Sequence, residues 1–373
     1  MKAGKAVGIV GGGVGGLALA VGLQARLRRY GLPGHVRVYD ANPPPSGPGS
    51  LLLGLNKGAL SSLHGLSPEI GTAVLRESES LCGIKLVDPQ GMILEEISAD
   101  AKSGEVIHAI PRDSLRSIFM RGLDDQIVSF DWNNAVKSVQ MVEDTQVTIG
   151  LEKGTRTPLR HDVVVGCDGL NSVVRRHLFS RLYDTGLHNP RFLGLYGISG
   201  VTEVMLRLNF LHVKVITLLT SSIKGGNSLV APELHNSVSN VFSEQEEMVL
   251  SLQCYHDLIY WNLVYKSPEV GHFSNRPASL RTEALQKIKE WHTPFGHVIE
   301  AATLGIHPRF FSFSRMHSLS IFVGSIQGMP LCDREPLNRL ELSKRSLNRT
   351  IVIGDALHPL CPLVGGFGEN TNI

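Results

Sequence analysis

Five glycines fill the six positions from Gly11 to Gly16, directly behind an apolar run from Ala6 to Val10. A turn without β-carbons lets backbone amides approach a bulky anion, and the chemistry it suits is the holding of a dinucleotide pyrophosphate. Between them, Gly11, Gly13 and Gly16 allow a tight turn, close approach of backbone to phosphate, and close packing of the next helix. Leu17–Leu27 read as that helix, whose N-terminus offers free N–H groups and the positive end of its dipole. A second strand, His35–Tyr39, ends at Asp40, an acidic side chain suited to accept hydrogen bonds from ribose hydroxyls. Asp40 lies somewhat beyond the usual ~20 residues from the glycines because Arg26–Gly34 is a long connection.

Three further segments put polar residues at the ends of apolar runs. Ile107–Pro111 is extended and ends at a proline. A helix follows with Leu115, Ile118 and Phe119 on one face, which places Arg112 at the junction. The strand Val163–Gly166 leads through Cys167 to a turn at Asp168-Gly169, and then to a helix with Ser172 and Arg175 one turn apart. The strand Thr350–Ile353 leads to Gly354-Asp355, His358-Pro359 and a glycine-rich stretch containing Gly366 and Gly368. Taken singly, each of these is also an ordinary turn.

Such turns need a buried sheet to hold them, and 373 residues with 42% hydrophobic content are enough for two globular domains. Near-balanced charge, 36 Lys and Arg against 34 Asp and Glu, argues against a nucleic-acid partner. Cys82, Cys167, Cys254, Cys332 and Cys361 are odd in number and lack Cys-x-x-Cys spacing. That suits a reducing, cytoplasmic setting and offers neither a metal site nor a disulfide framework. Val7–Leu27 has the length of a membrane helix, but its glycines would make a poor helix interior, and no cleavage pattern follows Lys2 and Lys5. No targeting or integral membrane segment is therefore expected. Val213–Leu219 reads as a buried strand. Asp257–Tyr265 alternates like a strand, and Arg281–Trp291 reads as an amphipathic helix with Leu285, Ile288 and Trp291 on one side, a composition that fits a sheet core or a pocket for a planar molecule. Leu304–Gly328, between Ala302-Thr303 and Met329-Pro330, shows no clear period. It reads as an insertion foreign to the fold, a translated intron or gene-model error, with Val204–Thr220 a similar case.

In their order, Val7–Gly16, Gly166–Arg175 and Ile351–Pro359 resemble the FAD-dependent monooxygenases of the aromatic-hydroxylase type, the salicylate and p-hydroxybenzoate hydroxylase-like family. The middle segment matches that family's Asp-Gly-x-x-Ser-x-x-Arg pattern at every fixed position, and the resemblance is weakest from Gly197 to Ala231. It implies an α/β fold with a glutathione-reductase-like, Rossmann-type FAD-binding domain, residues 1–75, 107–184 and 340–373. A mixed-sheet substrate domain, 76–106 and 185–339, is inserted into it. The resemblance also implies that FAD is held by Gly11, Gly13, Gly16, Asp40, Arg112, Asp168, Gly169, Asp355, Gly366 and Gly368. Arg112 would reach the flavin or its phosphates with its guanidinium fork, and Asp355 the ribityl hydroxyls. Asp168 would serve the pyrophosphate and the approach of NAD(P)H, without a separate nicotinamide-binding domain. Relative to the family there is one residue extra near Val364, and the sequence stops at Ile373, where a helix stabilising reduced flavin should begin. A C-terminal truncation that impairs binding and turnover is the expectation.

The implied reaction uses NADH or NADPH to reduce FAD and dioxygen to supply one oxygen atom to a small aromatic or other electron-rich substrate, with protein groups excluding water and positioning the ring. No catalytic acid or base is assigned. Tyr260, Tyr265 and His108 are pocket candidates without a known geometry, and His108 reads as structural. Met329–Leu337 resembles the segment that returns the chain to the flavin domain, with Asp333 and Arg334 pairing structurally. Two other readings share the motifs: a flavin-dependent reductase of an unsaturated substrate, which needs a long apolar cavity, and an inactive truncated relative.

Overall fold

The computed structural model describes residues 4–47, 49, 51–81, 83–98, 106–142, 145–154, 159–180, 189–203, 205–208, 211–214, 237–244, 247–256, 258–268, 276–302, 306–313, 316–323, 326–334, 346–347, 349–357 and 359. Gly366 and Gly368 lie outside them.

The apolar runs of the motifs lie side by side in one six-stranded sheet. Lys5–Val10 is central, with Val163–Gly166 on one side and Gly34–Tyr39 on the other, both parallel to it. Thr350–Val352 adds in parallel to Val163–Gly166, and Val128–Asp131 to Gly34–Tyr39. Parallel strands covered on both faces read as continuous apolar runs, and Ile9, Val36, Val38 and Val164 are fully or almost fully buried. The turns after Val10, Tyr39, Gly166 and Val352 therefore lie at the same end of the sheet, while Ile107–Pro111, before Arg112, belongs to a separate three-stranded sheet. The helix behind the glycines spans Val14–Arg29, longer at both ends than the periodicity indicates, with Gly13 as its N-cap.

A seven-stranded mixed sheet forms the second layer, in the order Gln327–Asp333, Arg191–Glu203, Leu258–Lys266, Met248–Tyr255, Ser237–Ser243, Gly83–Val87 and Ile93–Ser98. Helices Pro277–Lys287 and Thr293–Glu300 close one face of it around Ile198, Leu250, Trp261 and Leu263. Leu258–Lys266 is buried on both faces, with the helices packed on Trp261 and Leu263 and Leu52 on Leu258 and Tyr260, so the expected alternation is absent from its burial. The expected Arg281–Trp291 helix stops at Lys287. Ile288 and Trp291 still enter the core, and Leu285 is only partly buried.

Leu304–Gly328, which shows no clear period in sequence, contains regular structure. Ile306–Phe313 and Met316–Val323 form an antiparallel hairpin, and Met205–Leu208 pairs with Leu211–Lys214 in a second one. A two-stranded ladder has two edges and tolerates residues such as Pro308, which is why no strand signal stood out. Ala302 and Ile326, on either side of the longer hairpin, reach the same core. Of the expected strand Val213–Leu219, only Val213 and Lys214 are described.

Candidate active site

The three strand-end motifs and the Arg112 junction surround one cleft of about 1530 Å³. That exceeds the ~300–1,000 Å³ of common small-molecule pockets, as room for a dinucleotide and a second molecule requires. Gly11, Gly13, Asp40, Arg112, Asp168, Gly169 and Asp355 all line it, and Gly16 lies beneath it.

The glycines divide the work. Gly11 has φ +105, and a β-carbon there would fall 2.3 Å from the Cys167 carbonyl oxygen; at Gly16 one would fall 1.9 Å from the Gly11 carbonyl oxygen. These two are required by the protein's own packing. At Gly13 a β-carbon would meet only the Arg112 guanidinium at 3.7 Å, and at Gly15 nothing within 4 Å, so both positions are bare toward the cleft. Gly13 caps a helix without a side-chain partner, leaving first-turn N–H groups directed there.

Asp40 shapes the same loop. Its Oδ2 accepts from the Gly12 N–H at 2.7 Å and its Oδ1 from the Asn42 N–H at 2.8 Å. A carboxylate offers about four lone-pair sites, so capacity for a ribose hydroxyl remains. Arg112 is the first residue of helix Arg112–Arg121 and stands 3.8 Å from Asp113. Burial and then the neighbouring Arg116 lower its pKa, while Asp113, Asp40 and Asp355 act in the opposite sense. The guanidinium thus sits among carboxylates from several motifs and stays charged.

Asp168 is largely occupied by its own helix. It accepts from Ser172 Oγ at 2.5 Å and from the Val173 N–H at 2.7 Å, and Ser172 Oγ in turn caps Arg175 N at 2.9 Å. Burial raises the Asp168 pKa while these bonds pull it down. Burial also pushes the Cys167 thiol up to about 12, with Asp168 adding to the effect, so no thiolate forms beside the cleft at neutral pH. Gly169 makes the turn with φ +72, and Gly354, with φ +59, does the same before exposed Asp355.

Three supporting arginines were not singled out from sequence as site residues. Buried Arg116 donates Nε to the Gly12 carbonyl at 3.0 Å and bonds Asp113 at 2.9 Å, with its guanidinium 5.9 Å from the Trp132 ring. Its only sequence signal is its place one turn beyond Arg112. Fully buried Arg175 donates to the carbonyls of Ala356 and Leu357, fastening the Asp168 helix to the Asp355 turn. Arg334 donates Nε to the Leu170 carbonyl at 2.9 Å, so the returning strand grips the Asp168 loop. Asp333 pairs instead with Arg191 at 2.8 Å, which replaces the expected Asp333–Arg334 pairing with two separate anchors.

Of the pocket candidates, Tyr265 donates to Glu283 at 2.5 Å beneath the Pro277–Lys287 helix, away from the cleft. His108 meets Ser78 at 3.2 Å in a small antiparallel sheet. Tyr260 is buried with Val201, Tyr255 and Leu258 beneath Leu52 and does not line the cleft. Among the described residues no cluster suited to a metal ion is found, and no described helix is long and apolar enough to cross a membrane.

No family model matches the chain. It is 25% identical over 376 residues to the aurachin C monooxygenase/isomerase of Stigmatella aurantiaca, covering 99% of this chain and 78% of the relative. It is 24% identical to Monooxygenase cfoF of Aspergillus candidus, covering 97% of this chain and 79% of that protein. The fold superposes on Klebsiella pneumoniae HpxO, solved with FAD and uric acid, with a TM-score of 0.68 at 17% identity, covering 99% of this chain and 77% of that one. Over nearly its whole length the chain is thus similar to proteins named as monooxygenases, and its fold is that of FAD-dependent monooxygenases. Its α/β architecture, a parallel dinucleotide-type sheet beside a mixed sheet, is the one expected from the motifs.

Proposed function

We propose that the cleft holds FAD through Gly11, Gly13, Gly16, Asp40, Arg112, Asp168, Gly169 and Asp355, with Gly366 and Gly368 completing the set, and that the protein uses NADH or NADPH and dioxygen to oxygenate a small aromatic or other electron-rich substrate. The observation that carries this reading is the bare position at Gly13: a β-carbon there fills the cleft beside Arg112 while touching nothing else in the protein. FAD bound there supplies hydride acceptance and the activation of dioxygen.

The chain's own residues do the rest. First-turn N–H groups behind Gly13 and the Arg112 guanidinium bind phosphate oxygens, one through the helix dipole and the other through a charged fork. Asp40 accepts from the ribose, and Asp355 from hydroxyls at the opposite side of the cleft. The Asp168–Gly169 loop, stiffened by its own cap and by Arg334, forms the wall that NAD(P)H approaches. Residues 1–75, 107–184 and 340–373 serve as the cofactor unit, and 76–106 with 185–339 as the substrate unit. Cys167 and Cys254 are free thiols, which supports a cytoplasmic location. Purified protein should carry a flavin spectrum and oxidise NADH or NADPH faster when a substrate is added. A folded, flavin-loaded protein that reduces an unsaturated substrate anaerobically, without oxygen insertion, would overturn the oxygenase reading.

A further inference from the structure

Three side chains from three parts of the fold converge on one residue of the glycine loop, Gly12. Asp40, just past strand Gly34–Tyr39, accepts from its N–H on Oδ2 at 2.7 Å. Arg116, from helix Arg112–Arg121, donates Nε to its carbonyl at 3.0 Å. Trp132, just past strand Val128–Asp131, closes another side, because a β-carbon at Gly12 would fall 2.6 Å from its ring. That ring is itself held, stacked on Phe130 with centroids 5.3 Å apart and planes 9° apart, and it lies 5.9 Å from the Arg116 guanidinium.

The consequence falls on the next amide. A peptide group is planar and trans, so its carbonyl and its N–H point in opposite directions. The Gly12 carbonyl and the Gly13 N–H belong to one such group. With the carbonyl drawn to a buried guanidinium, the Gly13 N–H leaves the loop on the side away from Arg116. Gly13 lines the cleft and Gly12 does not, and the Gly13 N–H has no partner among the described residues. As the N-cap of helix Val14–Arg29 it has no intrahelical acceptor either, so a ligand or water must satisfy it.

Arg116 also borders the cleft, but its polar atoms are turned to the protein: Nη1 bonds Asp113 at 2.9 Å and Nε the loop. Arg112, one helical turn earlier, has its side chain 42% exposed against 8% for Arg116, and its guanidinium stands beside Gly13. One arginine of the helix faces the cleft and the other faces the loop.

We propose that Arg116 is a positioning residue for phosphate: through Nε it fixes the Gly12–Gly13 peptide so that the Gly13 N–H is aimed at the cofactor's pyrophosphate, and this bond rather than its charge is what the phosphate depends on. This rests on reading the cleft as the FAD site.

The test exploits side-chain length. Glutamine carries an amide nitrogen as many bonds from the backbone as arginine Nε, so Arg116→Gln keeps a neutral donor for the Gly12 carbonyl, whereas Arg116→Met puts a methyl group there. Binding of ADP, of adenosine, which lacks the diphosphate, and of FAD is measured by calorimetry on the purified, flavin-free chain, below each variant's melting temperature. Arg116→Met should weaken ADP and FAD by about tenfold and adenosine by less than about twofold, and Arg116→Gln should hold ADP within about threefold of the parent. A folded Arg116→Gln that loses ADP by tenfold or more would make the arginine a charge contact and overturn the proposal, whether or not Arg116→Met folds. Adenosine weakened as much as ADP would overturn it as well, by showing general loosening of the loop. A parent that binds neither ADP nor FAD would fault the cleft as a cofactor site and the proposal with it. A parent that binds both, with Arg116→Met binding them equally well, would fault the role of Arg116 alone.

Discussion

Gly13 and Gly16 stand three positions apart in one loop, yet their substitutions should fail in different ways. A valine at Gly16 would drive into the Gly11 carbonyl, so Gly16→Val is expected to be poorly folded by circular dichroism. Gly13 is extended at φ −73 and ψ −171 and has open space, so Gly13→Val should fold with a near-parental melting temperature and carry no flavin. Asp355 is exposed, so Asp355→Ala should likewise keep its melting temperature. Loss of a hydrogen bond to the charged carboxylate should weaken FAD by about 1.5–3 kcal/mol, read by flavin titration. Unchanged affinity with a lowered melting temperature would make Asp355 structural. Gly13 and Asp355 were legible because a glycine-rich turn and an Asp after a strand announce themselves in one dimension. Asp168 was legible as a position only: that its carboxylate caps its own helix follows from backbone geometry, which no motif encodes.

At the scale of elements, arginines join pieces that the sequence presents separately. Arg116 links helix Arg112–Arg121 to the glycine loop, and Arg116→Met should leave the Gly12 carbonyl and Asp113 short of a partner. The expected cost is about 1–3 kcal/mol in urea unfolding, with an altered Trp132 emission. A second junction is sensitive to pH. Buried His161, in the small sheet beside the parallel one, meets Tyr39 at 2.8 Å, and burial, with Arg37 and His35, lowers its pKa to about 4. The unfolded chain binds the proton more readily, so stability should be complete above about pH 6.5 and fall as pH drops toward 4. For this residue, 5% exposed, the span corresponds to roughly 3 kcal/mol. His161→Phe should flatten that part of the stability profile, and an unchanged slope would assign it to other groups. The buried parallel strands were readable as continuous apolar runs. The hairpin Ile306–Phe313 with Met316–Val323 was not, because a two-stranded ladder imposes little alternation on its residues.

For the whole molecule, the working surface is a cleft where a parallel sheet brings four motif ends together and where Arg112 and, from the mixed sheet, Gln327 reach the same space. The first half of that arrangement could be inferred from the motif order and family resemblance. The second half could not, because the place of Gln327 at the cleft depends on the pairing of Gln327–Asp333 with Arg191–Glu203, strands far apart in sequence, which no local period reveals. The most direct test is the flavin content of the purified chain: the protein is supplied with FAD, freed of excess, and its released flavin is identified and counted against protein for the parent and for Gly13→Val. About one FAD per parent chain and essentially none in an equally folded Gly13→Val is the expected result. A folded parent that retains no FAD, or a Gly13→Val variant that retains as much as the parent, would contradict the assignment of this cleft.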